Sequence, residues 1–560
     1  MVATPVWFGA AGRPLFGWLH VPDDSRARAG VVLCPPFGQE YMGTHVAFRL
    51  LAERIGAAGV AVLRLDYDGT GDSAGCMLDG DRLEAWLSSI SAAVAHMRGL
   101  GLARVLLVGM RLGATMAAAV ASRDGGIDGL VLWDPCRSGR SFLRQQRALA
   151  AIGFGDGEGT GPADGAVDGP AWMYSAATAA ELAELDILTL EAPLAPRVLV
   201  LTRADRAPDT RLRHRLSSSE VEWGEAVGQA GLVDAPPSSN EVPELALRTV
   251  CAWVAAVAGG DPRPVAVAPA EPATVAWDGA GRPVIESAVR LGALGLFGII
   301  TEPSGPQRGP TVVFLDVAAE HRVGPARLWV ELARQWAMQG VRSARFDFSG
   351  LGDSPGRPQQ VPQRLYAPEA VDDVVDVAGT VAPSDPSDVV LVGLCSGAFA
   401  AMDAGLRLGA RCVCAINPVL SHRPAPHAAG PGPARHVLPG LRRRLGPDTY
   451  RRLSWLRTRA VEIRSDVGHR LGHAAGAPTL IAQLLGRGVE VALIVDERSA
   501  RDLARRSSGK GRSLLDLPQF HLVTPAGLDH SLLSQSARQE VGRALTAQLD
   551  RMVSASRSMS

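Results

Sequence analysis

Residues 393–397 read Gly-Leu-Cys-Ser-Gly, a G-x-S-x-G elbow with cysteine in the nucleophile's place. A thiol on such a turn is suited to covalent acyl chemistry. The glycines permit a sharp strand-to-helix bend that lifts Cys395 off the sheet. The positive end of the following helix, opened by the small residues Ala398-Phe399-Ala400-Ala401, favours the thiolate. The backbone N–H of Ser396 would supply half of an oxyanion hole. The other half is expected from the loop after a strand at Thr311–Leu315, at Val317 or Ala318. The competing reading is a small buried cysteine with no role.

A base in the right place weighs against that alternative. His530, in Gly527-Leu528-Asp529-His530-Ser531-Leu532, follows the last expected strand (Phe520–Val523) and precedes the final expected helix (Gln535–Met552). His321 is a weaker candidate, better suited to shaping the loop after Thr311–Leu315. For the acid, Asp496 directly after the expected strand Val491–Val495 is favoured. Glu497 and a plain Cys–His dyad stay open, because a thiol needs less help to ionise than a hydroxyl.

These residues need a scaffold, and the chain repeats one. Residues 63–75 (Leu-Arg-Leu-Asp-Tyr-Asp-Gly-Thr-Gly-Asp-Ser-Ala-Gly) match residues 344–356 (Ala-Arg-Phe-Asp-Phe-Ser-Gly-Leu-Gly-Asp-Ser-Pro-Gly), 281 positions later. A second elbow, Gly109-Met110-Arg111-Leu112-Gly113, carries arginine where Cys395 stands 284 positions on. So long a period means duplicated domains, not a solenoid. Each copy alternates apolar strands with amphipathic stretches. The first has strands at Gly30–Cys34, Val60–Leu65 and Arg104–Gly109 and helices at Val46–Gly59 and Asp81–Leu100. The second has strands at Thr311–Leu315, Ser343–Phe348 and Asp388–Gly393 and helices at Ala326–Gly340 and Ala367–Val381. That rhythm predicts a mostly parallel sheet flanked by helices in each copy, opened by hairpins at Pro5–His20 and Arg282–Thr301. The boundaries expected are a first domain at 1–260, a Pro/Gly-rich linker at 261–275 and a second domain at 276–560. Insertions at 136–195 and 421–478 fall where lids form, the latter with Arg442-Arg443-Arg444 and Arg451-Arg452.

The bulk properties restrict the partners. Fifty-seven basic and 57 acidic side chains balance, so no global field favours nucleic acid or an anionic membrane. Lys510 is the only lysine, which reads as codon bias. Seven scattered cysteines show no zinc spacing and fit a reducing compartment. No metal or cofactor is expected. With no signal-peptide pattern and no apolar run of roughly 20 residues, a cytoplasmic, membrane-free protein is the expectation.

Together, the elbow, the motif Asp66–Gly75, Cys34-Pro35-Pro36-Phe37-Gly38 and Glu320-His321-Arg322-Val323-Gly324-Pro325 resemble the α/β-hydrolase superfamily, twice over. They look most like the hydrolases of exosortase and of nonribosomal-peptide or polyketide systems. The resemblance implies Cys395 as nucleophile, His530 as base and Val317 with Ser396 as oxyanion donors. Arg498 opposite Asp205 of the first copy is a departure at the acid. The first copy departs further, with Arg111 at the elbow and no histidine in Val233–Ser238, as a pseudo-hydrolase would. Arg111 could bind a carboxylate or phosphate, or pair internally with Asp66 or Asp134.

The reaction expected is acyl transfer or thioester cleavage. A Cys395 acyl-enzyme would form from a coenzyme A or acyl- or peptidyl-carrier thioester and pass to an amine, alcohol or water. The arginine-rich insertion would suit an acidic carrier or serve only as a solvated surface. A cysteine-dependent ester or lactone hydrolase of the dienelactone type is the second reading, and a non-catalytic acyl-binding scaffold the third. The two halves are expected to pack as an intramolecular pseudo-dimer.

Overall fold

The computed structural model describes residues 1–154, 165–191, 193–205, 209–235, 240–268, 270–317, 320–360, 364–420, 427–428, 476–507 and 514–559. The arginine clusters of 421–478 and Ala318 lie outside them.

The first half forms an eight-stranded sheet. Its strands are β1 (Val2–Ala10), β2 (Arg13–Val21), β3 (Gly30–Cys34), β4 (Ala61–Leu65), β5 (Val105–Met110), β6 (Gly129–Trp133), β7 (Arg197–Thr202) and β8 (Glu220–Glu225). They lie in the order β1-β2-β4-β3-β5-β6-β7-β8, antiparallel at β1, β2 and β4 and parallel from β4 onward. The second half adds one strand in front of the same order: β9 (Ala273–Trp277), β10 (Pro283–Leu291), β11 (Leu296–Glu302), β13 (Ser343–Phe346), β12 (Thr311–Phe314), β14 (Val389–Leu394), β15 (Cys412–Ile416), β16 (Glu490–Ile494) and β17 (Phe520–Val523). This is the strand order of the α/β-hydrolase fold, present in both halves. β3 to β6 and β12 to β15 are buried along their length, as parallel strands covered on both faces must be.

Local differences from the expected elements have identifiable causes. The strand β9 begins at Ala273, inside the stretch read as linker, because its Pro-poor end pairs antiparallel with β10. The first helix runs from Gln39 to Ala57, seven residues earlier than its apolar periodicity indicates, since its first two turns bury the polar Glu40 and Thr44. The insertion after β6 is not irregular throughout: it holds helices Gly139–Phe154 and Ala176–Glu184 and a short hairpin, Val167–Asp168 with Met173–Tyr174.

The halves meet along a reciprocal seam made by the repeated motif. Arg64 pairs with Asp353, and its counterpart Arg345 pairs with Asp72 at 3.3 Å. Phe16 of β2 stacks on its counterpart Phe297 of β11 at 6.4 Å. Each of these residues donates its backbone N–H to an equivalent hydroxyl, Ser73 or Ser354, at 2.8 Å. Contacts in which i meets j and j meets i are the signature of a two-fold interface, here within one chain. Four arginines of the second half hold the turn Gly71–Ser73. Arg322 and Arg345 reach the Asp72 carboxylate, while Arg327 and Arg334 donate to the carbonyls of Gly71, Asp72 and Ser73. The 63–75 and 344–356 repeat is therefore a joint, set apart from the elbow.

Candidate active site

Cys395 sits between the end of β14 and the helix Ser396–Leu408, at φ 53° and ψ −108°. That left-handed backbone costs a non-glycine residue about 1–3 kcal/mol, a strain held in place by the surrounding packing. A Cβ on Gly393 would lie 2.3 Å from the Gly397 carbonyl oxygen, and one on Gly397 would lie 2.4 Å from that of Asp316. Only glycine fits at either place, and the second contact brings the loop after β12 onto the start of the helix.

Three donors surround the sulfur. His530 Nε2 lies 3.3 Å and the Tyr366 hydroxyl 3.2 Å from Sγ, and the Ser396 N–H also stabilises the thiolate. Burial alone would raise the Cys395 pKa, but the His530 hydrogen bond and charge, with Tyr366 and Ser396, bring it below the usual thiol value. His530 moves the other way: the bond to Cys395 raises its pKa against burial, and the charges of Asp529 and Asp496 add to the rise. Burial and the neighbouring thiolate raise Tyr366, so its phenol stays protonated and donates. Both shifts favour the thiolate–imidazolium form of the pair. The pH profile of iodoacetamide alkylation tests this. Alkylation at Cys395 is expected to persist below the range of a free thiol, near 8.5. His530→Ala should shift the profile upward; an unshifted profile would disprove the pairing.

The predicted acid stands elsewhere. Asp496 accepts from the N–H of Arg498 at 2.9 Å, the N–H of Ser499 at 3.0 Å and the Ser499 hydroxyl at 2.7 Å. It caps the helix Glu497–Ser507 and makes no hydrogen bond to His530 among the described residues; its influence there is electrostatic. Glu497 is turned to Arg501. The residue that fixes the histidine loop is Asn417, just beyond β15. It adopts φ 45° and donates its amide to the carbonyls of Asp529 at 3.1 Å and His530 at 3.2 Å. Its first-half counterpart is Asp134, at φ 44° after β6. Asp529 completes the loop by accepting from the backbone N–H groups of Ser531, Leu533 and Ser534. Asn417→Ala is thus expected to lower turnover by about tenfold or more, and Asp496→Asn by less, as measured by single-turnover acylation. The reverse ranking would restore Asp496 as the acid.

The remaining predicted residues are placed as follows. Val317 is buried in the loop after β12, next to Asp316, whose carbonyl lies against Gly397 of the elbow helix, and Ser396 follows the sulfur. His321 faces away, into the seam, with its ring 4.1 Å from that of His45. Arg111 keeps the elbow backbone, at φ 57° and ψ −122°. Its guanidinium is taken up internally by Glu40 at 3.0 Å, Asp134 at 2.9 Å and Gln145 at 2.6 Å. The internal pair with Asp134 thus displaces the ligand-binding alternative. Asp205 is held by Arg203, which also binds Asp234.

The first half also touches the loop that carries His530. Ala171, in its short hairpin, donates its N–H to the Leu533 carbonyl at 3.1 Å, three residues beyond His530. Among the described residues no group of His, Cys, Asp and Glu could hold a metal, and no helix is long and apolar enough to cross a membrane.

No family model and no curated protein matches the chain. Similar solved structures include Est1E from Butyrivibrio proteoclasticus with bound ferulic acid, 16% identical, covering 44% of this chain and 97% of that one at a TM-score of 0.33. The α/β hydrolase GrgF from Penicillium sp. sh18 is 17% identical over 42% of this chain and 94% of its own, at 0.32. The proline iminopeptidase of Mycobacterium smegmatis is 14% identical over 46% of this chain and 99% of its own, at 0.33.

Proposed function

We propose that the second half is an acyl-transferring enzyme and the first a pseudo-hydrolase that supports it. The observation that carries this reading is the Cys395 sulfur held between His530 Nε2 at 3.3 Å and the Tyr366 hydroxyl at 3.2 Å on a strained elbow. The thiolate attacks the carbonyl of a coenzyme A- or carrier-bound thioester. The oxyanion that forms is met by the N–H groups of Ser396 and Val317, and His530 returns a proton to the leaving thiol. An acyl-cysteine is itself a thioester, intrinsically more reactive towards amines than an oxygen ester, which favours transfer over hydrolysis. A role in natural-product biosynthesis, with the carrier protein as partner, and a cytoplasmic location accord with this chemistry.

Incubation with a panel of acyl thioesters, with and without amine and alcohol acceptors, followed by intact-mass measurement, tests the reading. An acyl adduct that vanishes in Cys395→Ala supports it, and the released products separate transfer from the hydrolysis expected of a dienelactone-type enzyme. The absence of adduct and turnover with every donor would leave the acyl-binding scaffold.

A further inference from the structure

Tyr366 touches the reacting atom, yet the attack on a thioester contains no step that needs it. Its hydroxyl lies 3.2 Å from Cys395 Sγ, and His530 Nε2 lies 3.3 Å from the same atom. Tyr366 adopts φ 53°, a left-handed backbone that a bulky residue takes up only where its surroundings enforce it. Three contacts do so. The two residues before it, Arg364–Leu365, pair antiparallel with His427–Ala428. Arg364 is also tied to Glu369 at 3.5 Å, in the first turn of the following helix. The ring meets Phe399 of the elbow helix edge-on, with centroids 5.8 Å apart. A void of about 30 Å³ bordered by Tyr366, Ser396 and Phe399 has room for a water molecule, but it is too small for the ring to withdraw into. The hydroxyl is thus built into the elbow from three sides.

A hydrogen bond to a thiolate acts in opposite senses on the two halves of an acyl transfer. It weakens the sulfur as a nucleophile, because nucleophilicity falls with basicity. It also makes the sulfur a better leaving group, for the same reason. The other donors to Cys395 have competing duties when the acyl group is passed on. His530 Nε2 must then take the proton of the incoming acceptor, and the Ser396 N–H faces the oxyanion. That leaves the Tyr366 hydroxyl to meet the departing sulfur, and burial beside the thiolate keeps the phenol protonated for it.

We infer that Tyr366 is a catalytic residue of the second half-reaction, its hydroxyl donating a hydrogen bond to the Cys395 sulfur as that sulfur leaves the acyl group. This rests on the acyl-cysteine reading above. The acceptor attacks the acyl-cysteine carbonyl and forms its new bond to carbon, while its proton passes to neutral His530. The C–S bond breaks, and its electron pair returns to Sγ as thiolate. Tyr366 keeps its own proton throughout and shares it with the new thiolate. The cycle closes on the thiolate–imidazolium pair from which it began.

Tyr366→Phe removes the hydroxyl and keeps the ring, so the full chain can be compared with and without the donor. Each protein is acylated with butyryl N-acetylcysteamine thioester and, separately, discharged with N-acetylcysteamine, both steps being timed by intact mass. At a pH where Cys395 is ionised in both proteins, Tyr366→Phe is expected to acylate about threefold faster. Its discharge should be slower by about fivefold or more. The fraction acylated at a fixed ratio of thioester to thiol should rise accordingly. A tyrosine that only shapes its loop would slow both steps; that result, or two unchanged rates, would overturn the inference. Iodoacetamide alkylates Cys395 with no later departure and needs no acyl-enzyme. Tyr366→Phe should move its pH profile upward by about one unit and raise the plateau rate. An unmoved profile or a lowered plateau refutes the role given to the hydroxyl. If wild type takes up no acyl group while the alkylation profile shifts, the acyl-cysteine reading fails and the hydrogen bond to the thiolate stands.

Discussion

Cys395→Ser is expected to slow acyl-enzyme formation about 10³-fold or more, near 4 kcal/mol of barrier, despite replacing one elbow nucleophile by another. Serine must be deprotonated as it attacks, and that requires a base oriented and made more basic by an acid. Here no carboxylate hydrogen-bonds His530 among the described residues, and Asp496 is committed to the helix it caps. A thiolate already stabilised by His530, Tyr366 and the Ser396 N–H does not need that assistance. Single-turnover acylation followed by mass measures the effect. A loss smaller than tenfold would mean that an acid does reach the histidine, and that cysteine is not what compensates for its absence.

The second large effect concerns the seam. Residues 275–560 expressed alone are expected to aggregate or to lose the folded elbow, with acylation reduced at least tenfold. Separation exposes Phe297 and Ile299 and removes the Gly71–Ser73 turn from Arg322, Arg327, Arg334 and Arg345. Arg322 would keep Asp347 and Asp353, and Arg334 and Arg345 would keep Glu286, but each would lose partners from the first half. The freed charges exchange their partners for water, so the loss comes chiefly from the apolar seam surface left exposed and from the arginines that no longer order it. The histidine loop also loses its brace at Ala171. Gel filtration, circular dichroism and the acylation assay read the outcome. A soluble, fully active fragment would show that the first half is dispensable.

Much of this was legible in the residues themselves. The buried strands announced themselves as short apolar runs, so Gly30–Cys34 and Phe520–Val523 match their expected bounds. The elbow carries its own glycines, and His530 is marked by position, between the last strand and the last helix. Asp496 makes no hydrogen bond to His530 among the described residues, and the sequence shows a competing role for it: aspartate three residues before Ser499 at a helix start is a capping pattern. Tyr366 and Asn417 left no comparable trace. They lie in loops, where no periodicity reports the direction of a side chain, and each reaches its place through tertiary packing. The Asp66–Gly75 repeat was conspicuous but silent on its purpose, because reciprocal pairing shows only when both copies are folded together.

On the pseudo-hydrolase reading proposed for the first half, the arginine at its elbow also makes a return to covalent chemistry hard. Restoring cysteine at Arg111 would leave Glu40 and Asp134 facing each other in a dry interior with the cation between them gone. Two uncompensated buried carboxylates would cost several kcal/mol, more than the regained thiol could offset. Reversal would have to alter at least three residues together, with every single step passing through a less stable protein. On that reading the substitution at Arg111 works as a ratchet: the first half can drift further as a support for its neighbour, but no single change returns it to being an enzyme.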